Sequence, residues 1–212
     1  MTGSAKRGFR AALYAAGILL TALGIVLCKR CDWGISPVSC VPFVLEEITG
    51  LSFGTTTVLF HAVNIALQMI LRKHAGELQI WLQFLFAVAF GWAVDLCQLF
   101  IPPIVSVWAK VICLVVSAAL TALGIFFTAQ TNIVQDPTVG MVRELSRCSG
   151  VALDRMKNIY DLAMLVMAAL MGLAFLRRIT GIGIATLVSA LLVGRMMALW
   201  KRLIHLDFSG SA

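Results

Sequence analysis

Long apolar runs alternate with short polar segments along the chain. A bilayer core about 30 Å thick is crossed by roughly 20 mainly apolar helical residues, and six runs come close to or exceed that length. They lie near residues 11–28, 53–71, 78–100, 104–128, 159–176 and 181–200. The pattern predicts an all-α integral membrane protein with six transmembrane helices.

Two shorter runs follow the first and fourth long ones. Ser36-Pro37 has the pattern of an N-cap followed by proline at the first helical position, and Asp136-Pro137 repeats it. Each run ends at a glycine suited to the residue after a helix, Gly50 and Gly150. Both are too short to span a membrane. They predict either half helices that aim their N-termini at a solute or interfacial helices that brace the bundle.

The chain repeats itself. The hexapeptide Leu20–Ile25 recurs as Leu120–Ile125, and the Pro and Gly landmarks of the short runs recur at the same spacing of 100 residues. Later the spacing becomes 103, because Gly91 corresponds to Gly194. We interpret the chain as a duplicated unit of three long helices, each unit with a short Pro-started helix after its first span.

Composition agrees with a membrane protein. Hydrophobic residues make up 60% of the chain, charged residues 13%, and the mean hydropathy is +0.96. The net charge of +7 follows from the membrane orientation described next. It gives no reason to expect a nucleic-acid partner.

The basic residues divide unequally between the two faces if the N-terminus is cytoplasmic. Eleven then fall inside: Lys6, Arg7, Arg10, Arg72, Lys73, Arg143, Arg147, Arg155, Lys157, Lys201 and Arg202. Four fall outside: Lys29, Arg30, Arg177 and Arg178. This bias predicts six spans with both termini cytoplasmic.

An odd number of helices per unit means that the second unit enters the membrane from the opposite side. We therefore predict one membrane domain of two inverted three-helix repeats, residues 1–103 and 104–212. Inverted repeats surround the central sites of many secondary transporters.

Polar residues inside the spans are candidates for a solute pathway, because charge at membrane depth usually faces a partner or a cavity. His61 and Asn64 lie three residues apart on one helical face, and Asp161 follows His61 by 100 residues. A dry packing seam is the alternative. The pathway candidates are Ser36, Pro37, His61, Asn64, Asp136, Pro137 and Asp161.

Four charged residues within the spans suggest two ion pairs. Asp95 and Lys110 have similar depths near the outer face, and Asp161 and Arg195 have similar depths near the inner face. We expect Asp95 to pair with Lys110 and Asp161 with Arg195. Such pairs either stabilise the bundle or form a proton or ion relay.

No catalytic or cofactor motif is evident. Cys28-Lys-Arg-Cys31 has a CxxC spacing but lacks a second pair or a histidine at metal spacing. The histidines His61, His74 and His205 fall at separate depths. We therefore expect no metal, no cofactor and no enzymatic activity.

The order of several short motifs resembles the YczE/YitT-type bacterial membrane proteins. The first helix ends in Ala22–Ile25, and Gly34-x-Ser-Pro37, Thr49–Gly54 and Asn64 follow it, with Gly91 and Asp95 later. One departure is Gly76-Glu-Leu78, where that pattern has Gly-Thr-Leu. The resemblance implies a multi-pass protein of the bacterial cytoplasmic membrane whose biochemistry is mostly unassigned.

Two functions remain open. The first is a small-solute permease or channel with its site at the interface of the repeats. The second is an accessory or scaffold membrane protein that assists a partner enzyme or transporter and moves nothing itself. The expected partners are the lipid bilayer, a small solute, and a second copy of the chain or a membrane partner protein.

Overall fold

The computed structural model describes residues 3–72 and 78–204, with side chains from residue 7 onward. All regular structure in these ranges is helical. The helices are α1 (Gly3–Arg30), α2 (Pro37–Thr49), α3 (Phe53–Arg72), α4 (Leu78–Phe100), α5 (Val107–Thr131), α6 (Pro137–Ser149), α7 (Leu153–Met171) and α8 (Ile184–Leu203). A π-helical turn, Gly172–Leu176, extends α7.

Six of the described helices are long and apolar enough to cross a membrane: α1, α3, α4, α5, α8, and α7 with its π-helical turn. The protein is therefore a multi-pass membrane protein, and the predicted number of spans is confirmed. Four of the six begin at different residues from those predicted: α1 at Gly3, α5 at Val107, α7 at Leu153 and α8 at Ile184. α5 begins at Val107 because Pro102-Pro103 delays the helix, and α7 begins at Leu153 because its polar first turn precedes the apolar run.

The short helices α2 and α6 have the predicted ends, and each has 13 residues. Asp136 caps α6 by accepting a hydrogen bond from the Thr138 amide at 2.7 Å. Ser36 occupies the N-cap position of α2, but its hydroxyl donates to Ser39 Oγ at 2.8 Å instead. Gly50 and Gly150 both have φ +72°, a left-handed conformation that ends the helix at little steric cost.

Both short helices pack inside the bundle rather than lying along its surface. α2 packs against α3 and α7, and α6 packs against α3 and α7. Most residues in their N-terminal halves are buried. These halves are Pro37 to Val44 in α2 and Pro137 to Glu144 in α6. The N-termini of α2 and α6 therefore lie within the protein interior.

The repeated hexapeptide packs against its own copy, because α1 and α5 form the most extensive helix contact. A Cβ at Gly24 would meet Thr121 Oγ1 and, at 2.7 Å, the Ser117 carbonyl oxygen. A Cβ at Gly124 would meet Thr21 in the same way. The glycines thus allow the two backbones to approach closely.

The direction of this contact follows from its pairing. Along α1, Gly17, Thr21 and Gly24 meet α5 at residues Thr128, Gly124 and Thr121. The residue numbers of the α5 partners fall as those of α1 rise. α1 and α5 are therefore antiparallel.

The second and third long helices pack differently in the two halves. α3 and α4 pack closely, with a Cβ at Gly91 placed 2.7 Å from the Gly54 carbonyl oxygen. In the second half, a Cβ at Gly194 would meet nothing within 4 Å. α8 instead packs along α5.

The main apolar core lies where α1, α2, α3 and α4 meet. Its buried side chains include Val26, Val44, Phe53, Phe86 and Val94, and Ala168 of α7 closes one side. This core surrounds the middle of α3 and fixes the position of the polar residues there.

Candidate functional site

His61 lies at the middle of α3 and is 3% exposed. Its ring is surrounded by Phe60, Phe86 and Phe90, with centroid distances of 5.9, 6.2 and 5.8 Å. Neither ring nitrogen has a hydrogen-bond partner. A buried polar group left unpaired costs about 1–3 kcal/mol. Such a residue calls for an explanation beyond packing.

Two tyrosines and Asn64 lie in the same region. Tyr160 donates to Asn64 Oδ1 at 2.6 Å, and Asn64 Nδ2 donates to the Phe60 carbonyl oxygen at 2.9 Å. Tyr14 donates to the Val134 carbonyl oxygen at 3.2 Å. The Tyr160 bond joins α7 to α3, and the Tyr14 bond joins α1 to the segment before α6.

Asp136 completes the group from the start of α6. Its carboxylate lies within electrostatic range of Tyr14, His61 and Tyr160. We define the His61 cluster as Tyr14, Phe60, His61, Asn64, Phe86, Phe90, Asp136 and Tyr160.

The structure brings together three of the seven predicted pathway residues, His61, Asn64 and Asp136. Pro137 lies next to them, since its carbonyl oxygen accepts from Gln68 Nε2 at 2.9 Å. Ser36-Pro37 begins α2 elsewhere, beside the segment before α8, where the Ile35 amide donates to the Gly181 carbonyl oxygen at 2.9 Å.

Asp161 lies at the edge of this group, directly after Tyr160 and within electrostatic range of it. Its carboxylate pairs with Lys157 of the same helix at 2.7 Å. The preceding residue, Tyr160, takes the inward position and is 5% exposed. The tyrosines were missed, although the chain has only two and buried tyrosine hydroxyls usually find a polar partner.

Among the ion pairs of the described residues, neither predicted charge pair is present. Asp95 accepts from Ser52 Oγ at 2.6 Å and from the Gly54 amide at 2.7 Å, so it stabilises the N-terminus of α3. Lys110 lies 5.7 Å from the centroid of the Trp33 ring.

Arg195 is exposed on α8, and in the described part of the chain it forms no ion pair with Asp161. Lys157 is one helical turn from Asp161, whereas α7 and α8 are not closely packed. The local pair therefore forms.

Further polar contacts lie toward the C-terminal end of α3. Gln68 Nε2 donates to Gln83 Oε1 at 3.0 Å. Glu144 of α6 is 2% exposed and accepts from Arg72 Nε at 2.6 Å and Arg147 Nε at 3.0 Å. The two arginines therefore neutralise the buried carboxylate of Glu144.

A cavity of about 470 Å³ lies beside the start of α2, and we call it the Arg178 cavity. Lys29, Glu47 and Arg178 line it together with the 179–184 segment. Its apolar wall includes Ile35 and Phe43, which pack in the same core as the phenylalanines around His61. The cavity therefore ends at this core.

A second concavity, about 500 Å³, follows α7, and we call it the α7 groove. Its lining is apolar: Ile159, Leu162, Ala163, Val166, Met167, Leu170 and Met171. It offers no polar group for specific recognition of a solute.

The CxxC cysteines are buried free thiols. Cys28 Sγ lies 3.6 Å from the Gly34 carbonyl oxygen, and Cys31 Sγ lies 3.2 Å from that of Leu27. Burial raises the pKa of Cys31 to about 11. In residues 3–72 and 78–204, no three His, Cys, Asp or Glu side chains form a group that could hold a metal. His74 and His205 lie outside the described residues.

The chain belongs to a family of unknown function (DUF6198), whose family model matches residues 8–202. No curated protein and no solved structure matches the chain.

Proposed function

We propose that this member of the DUF6198 family is a small-solute permease or channel of the bacterial cytoplasmic membrane, with the His61 cluster as its site. The observation that carries the proposal is the state of His61. It lies in the middle of a membrane span, is 3% exposed, and has two unpaired ring nitrogens. A solute that hydrogen-bonds to the ring would offset the cost of burying it unpaired.

The relation between the halves supports a site with access from both sides. The equivalent helices α1 and α5 are antiparallel and make matching contacts, Gly24 with Thr121 and Gly124 with Thr21. The short helices also pack across the halves, α2 against α7 and α6 against α3. These contacts favour two inverted repeats that meet at the His61 cluster.

Orientation follows from the basic residues. With both termini in the cytoplasm, the eleven-to-four distribution of Lys and Arg agrees with the positive-inside bias. The Arg178 cavity then opens to the outside, and α6 begins its course from the inner half of the bundle. Ile35 and Phe43 line the cavity and pack in the same core as the phenylalanines of the cluster, so we infer that solute entry requires α2 or the 179–184 segment to move.

The alternative function, an accessory membrane protein, is favoured by one observation. The α7 groove is apolar and Gly194 of α8 faces open space. A membrane partner or a second copy of the chain would pack there. Under this alternative the His61 cluster is a structural seam and moves no solute. The resemblance to YczE/YitT-type proteins is compatible with either function.

Uptake of labelled small solutes into proteoliposomes tests the proposal. We expect the protein to move at least one class of solute, and His61→Phe to abolish that uptake. This variant keeps an aromatic ring and removes both nitrogens, so its folded yield should equal or exceed that of the parent. Arg195→Gln, on the exposed face of α8, is the control and should keep full uptake. Absence of flux for every solute class, or full flux in His61→Phe, would overturn the proposal.

A further inference from the structure

The Arg178 cavity lies at one end of the bundle, where α1 ends and α8 begins beside α2. Its volume of about 470 Å³ falls within the range that is usual for small-molecule sites. Two backbone hydrogen bonds of 2.9 Å hold its walls together. The Ile35 amide donates to the Gly181 carbonyl oxygen, and the Ala185 amide donates to that of Trp33. The cavity is therefore a fixed feature of the fold.

Lys29 lines the cavity, but its charge is already neutralised. Its ammonium group donates to both carboxylate oxygens of Glu46, at 2.7 and 2.5 Å, and to Gln98 Oε1 at 2.6 Å. An ammonium group has three N–H donors, and these contacts use all of them. Lys29 therefore forms part of the wall and has no donor to offer a ligand.

Arg178 keeps donors that a ligand can use. Its Nη2 donates to Glu47 Oε2 at 3.2 Å, and its side chain is 67% exposed. A guanidinium carries five N–H donors in a planar fork that matches the two oxygens of a carboxylate. An ion pair this exposed is weak, so a bound carboxylate can share Arg178 with Glu47 or replace it.

Two carboxylates line the same cavity. Glu47 approaches from α2, and the exposed Asp32 approaches from the turn after α1. Carboxylates accept hydrogen bonds, whereas an ammonium group donates them and accepts none. The cavity therefore presents an anion-binding group and cation-binding groups together, which suits a molecule that carries both charges.

The rest of the wall is largely apolar. Ile35, Phe43 and Ile182 line the cavity and pack in the main apolar core, and Ile35 is only 1% exposed. The charged Asp32 and Arg178 are exposed by contrast. The cavity thus has a charged mouth and an apolar inner wall, which together fit a ligand with one charged end and one aliphatic end.

We propose that the Arg178 cavity binds a small zwitterion with an aliphatic side chain, of the α-amino acid class. Its carboxylate accepts hydrogen bonds from Arg178, its ammonium group donates to Asp32 and Glu47, and its side chain packs against Ile35 and Phe43. The assignment goes beyond the proposed function, because it defines a second site whose occupation does not require transport.

The test compares four labelled probes that differ by one group each. Leucine is the zwitterion, 3-methylbutylamine lacks its carboxylate, 4-methylpentanoate lacks its ammonium group, and glycine lacks its side chain. Equilibrium dialysis against the purified protein in detergent at neutral pH gives the affinity for each probe. We expect leucine to bind most tightly and each of the others to bind about tenfold more weakly or worse.

Variants of the charged residues identify which group of the ligand each one holds. Arg178→Gln should lower the affinity for leucine about tenfold and should leave 3-methylbutylamine binding equal or tighter, because that probe has no carboxylate. Asp32→Asn should lower the affinity for leucine and spare 4-methylpentanoate. A general loss of structure would weaken every probe alike. Arg177→Gln is the matched control: it makes the same charge change in the neighbouring residue, which does not line the cavity, and should bind leucine as the parent does.

Several outcomes would overturn the assignment. Equal affinities for leucine and 3-methylbutylamine in the parent would make the cavity a cation site, and equal affinities for leucine and 4-methylpentanoate would make it an anion site. Glycine binding as tight as that of leucine would contradict the role of the apolar wall. The assignment also fails if no probe binds, or if Arg178→Gln and Arg177→Gln have equal effects on leucine. None of these results bears on uptake through the His61 cluster, and absence of flux in proteoliposomes would leave a measured leucine affinity standing.

Discussion

The hydrogen bond between Tyr160 and Asn64 joins α7 to α3 inside the His61 cluster. Tyr160→Phe removes the donor and leaves Asn64 Oδ1 buried and unpaired. We expect a loss of about 1–3 kcal/mol of folding free energy, measured by thermal unfolding in detergent. Tyr14→Phe is the control. Its residue is only half-buried and its bond to Val134 is longer, at 3.2 Å, so the loss should be smaller. Equal losses would mean that the Tyr160 bond has no special role.

Asp161 and Arg195 should act independently. Asp161→Asn breaks an i,i+4 pair with Lys157, whose side chain is 61% exposed, and pairs of this kind contribute about 0.3–0.5 kcal/mol. Adding Arg195→Gln should change stability by the sum of the two single effects. Thermal unfolding of the three variants measures this. Recovery of stability in the double variant would show that the two side chains interact after all.

Helical spacing was enough to predict that His61 and Asn64 share an inward face. It was not enough for Asp161, because the 100-residue offset aligns the two sequences but does not fix the rotation of α7. Matching charges by depth failed for a related reason. Asp95 accepts hydrogen bonds at the start of α3 and forms no pair with Lys110. Depth along a span does not indicate which helices are neighbours.

At the scale of single helices, the ends of α2 and α6 were predictable because proline and glycine mark them. Their burial was not. Glu144 and Arg147 make the sequence of α6 polar, but Arg72 of α3 pairs with Glu144. The pair with Arg72 thus offsets the cost of burying Glu144, which the sequence of α6 alone would imply.

The contact between α1 and α5 leads to a further prediction. Gly24→Ala places a methyl group against Thr121 Oγ1 and 2.7 Å from the Ser117 carbonyl oxygen. The backbones must move apart, and we expect a loss of about 1–3 kcal/mol. Gly8→Ala is the matched control in the same helix, because a Cβ there meets nothing within 4 Å. It should be neutral or slightly stabilising. Similar unfolding temperatures for both variants would argue against the close α1–α5 contact.

At the scale of the whole molecule, the duplication predicted matching elements but not their unequal packing. The equivalents of the close Gly54–Gly91 approach are Asp154 and Gly194, and Asp154 is too large for such a contact. α8 therefore packs along α5 and leaves the α7 groove open. A repeat in sequence specifies similar elements, whereas each packed pair depends on the particular side chains.

The membrane orientation is itself testable. Reporter fusions after Gly76 and Gly181 should report the cytoplasm and the outside, respectively, since the basic residues place these loops on opposite faces. Gly76 lies outside the described residues, and its placement depends on the charge distribution alone. Two fusions that report the same side would contradict both the six-span topology and the inverted relation of the halves.

The central claim is that the His61 cluster is a solute site that opens in turn to each face of the membrane. The accessibility of residue 61 to a thiol reagent tests this claim most directly. His61→Cys is made in a chain whose six native cysteines are replaced by serine or alanine. A small membrane-impermeant thiol reagent is applied to right-side-out and inside-out vesicles. A chain that keeps only the exposed Cys148 is the control and should react in inside-out vesicles alone. We predict that residue 61 reacts from both sides. Protection from both sides, while Cys148 reacts normally, would make the His61 cluster a dry seam and contradict the account.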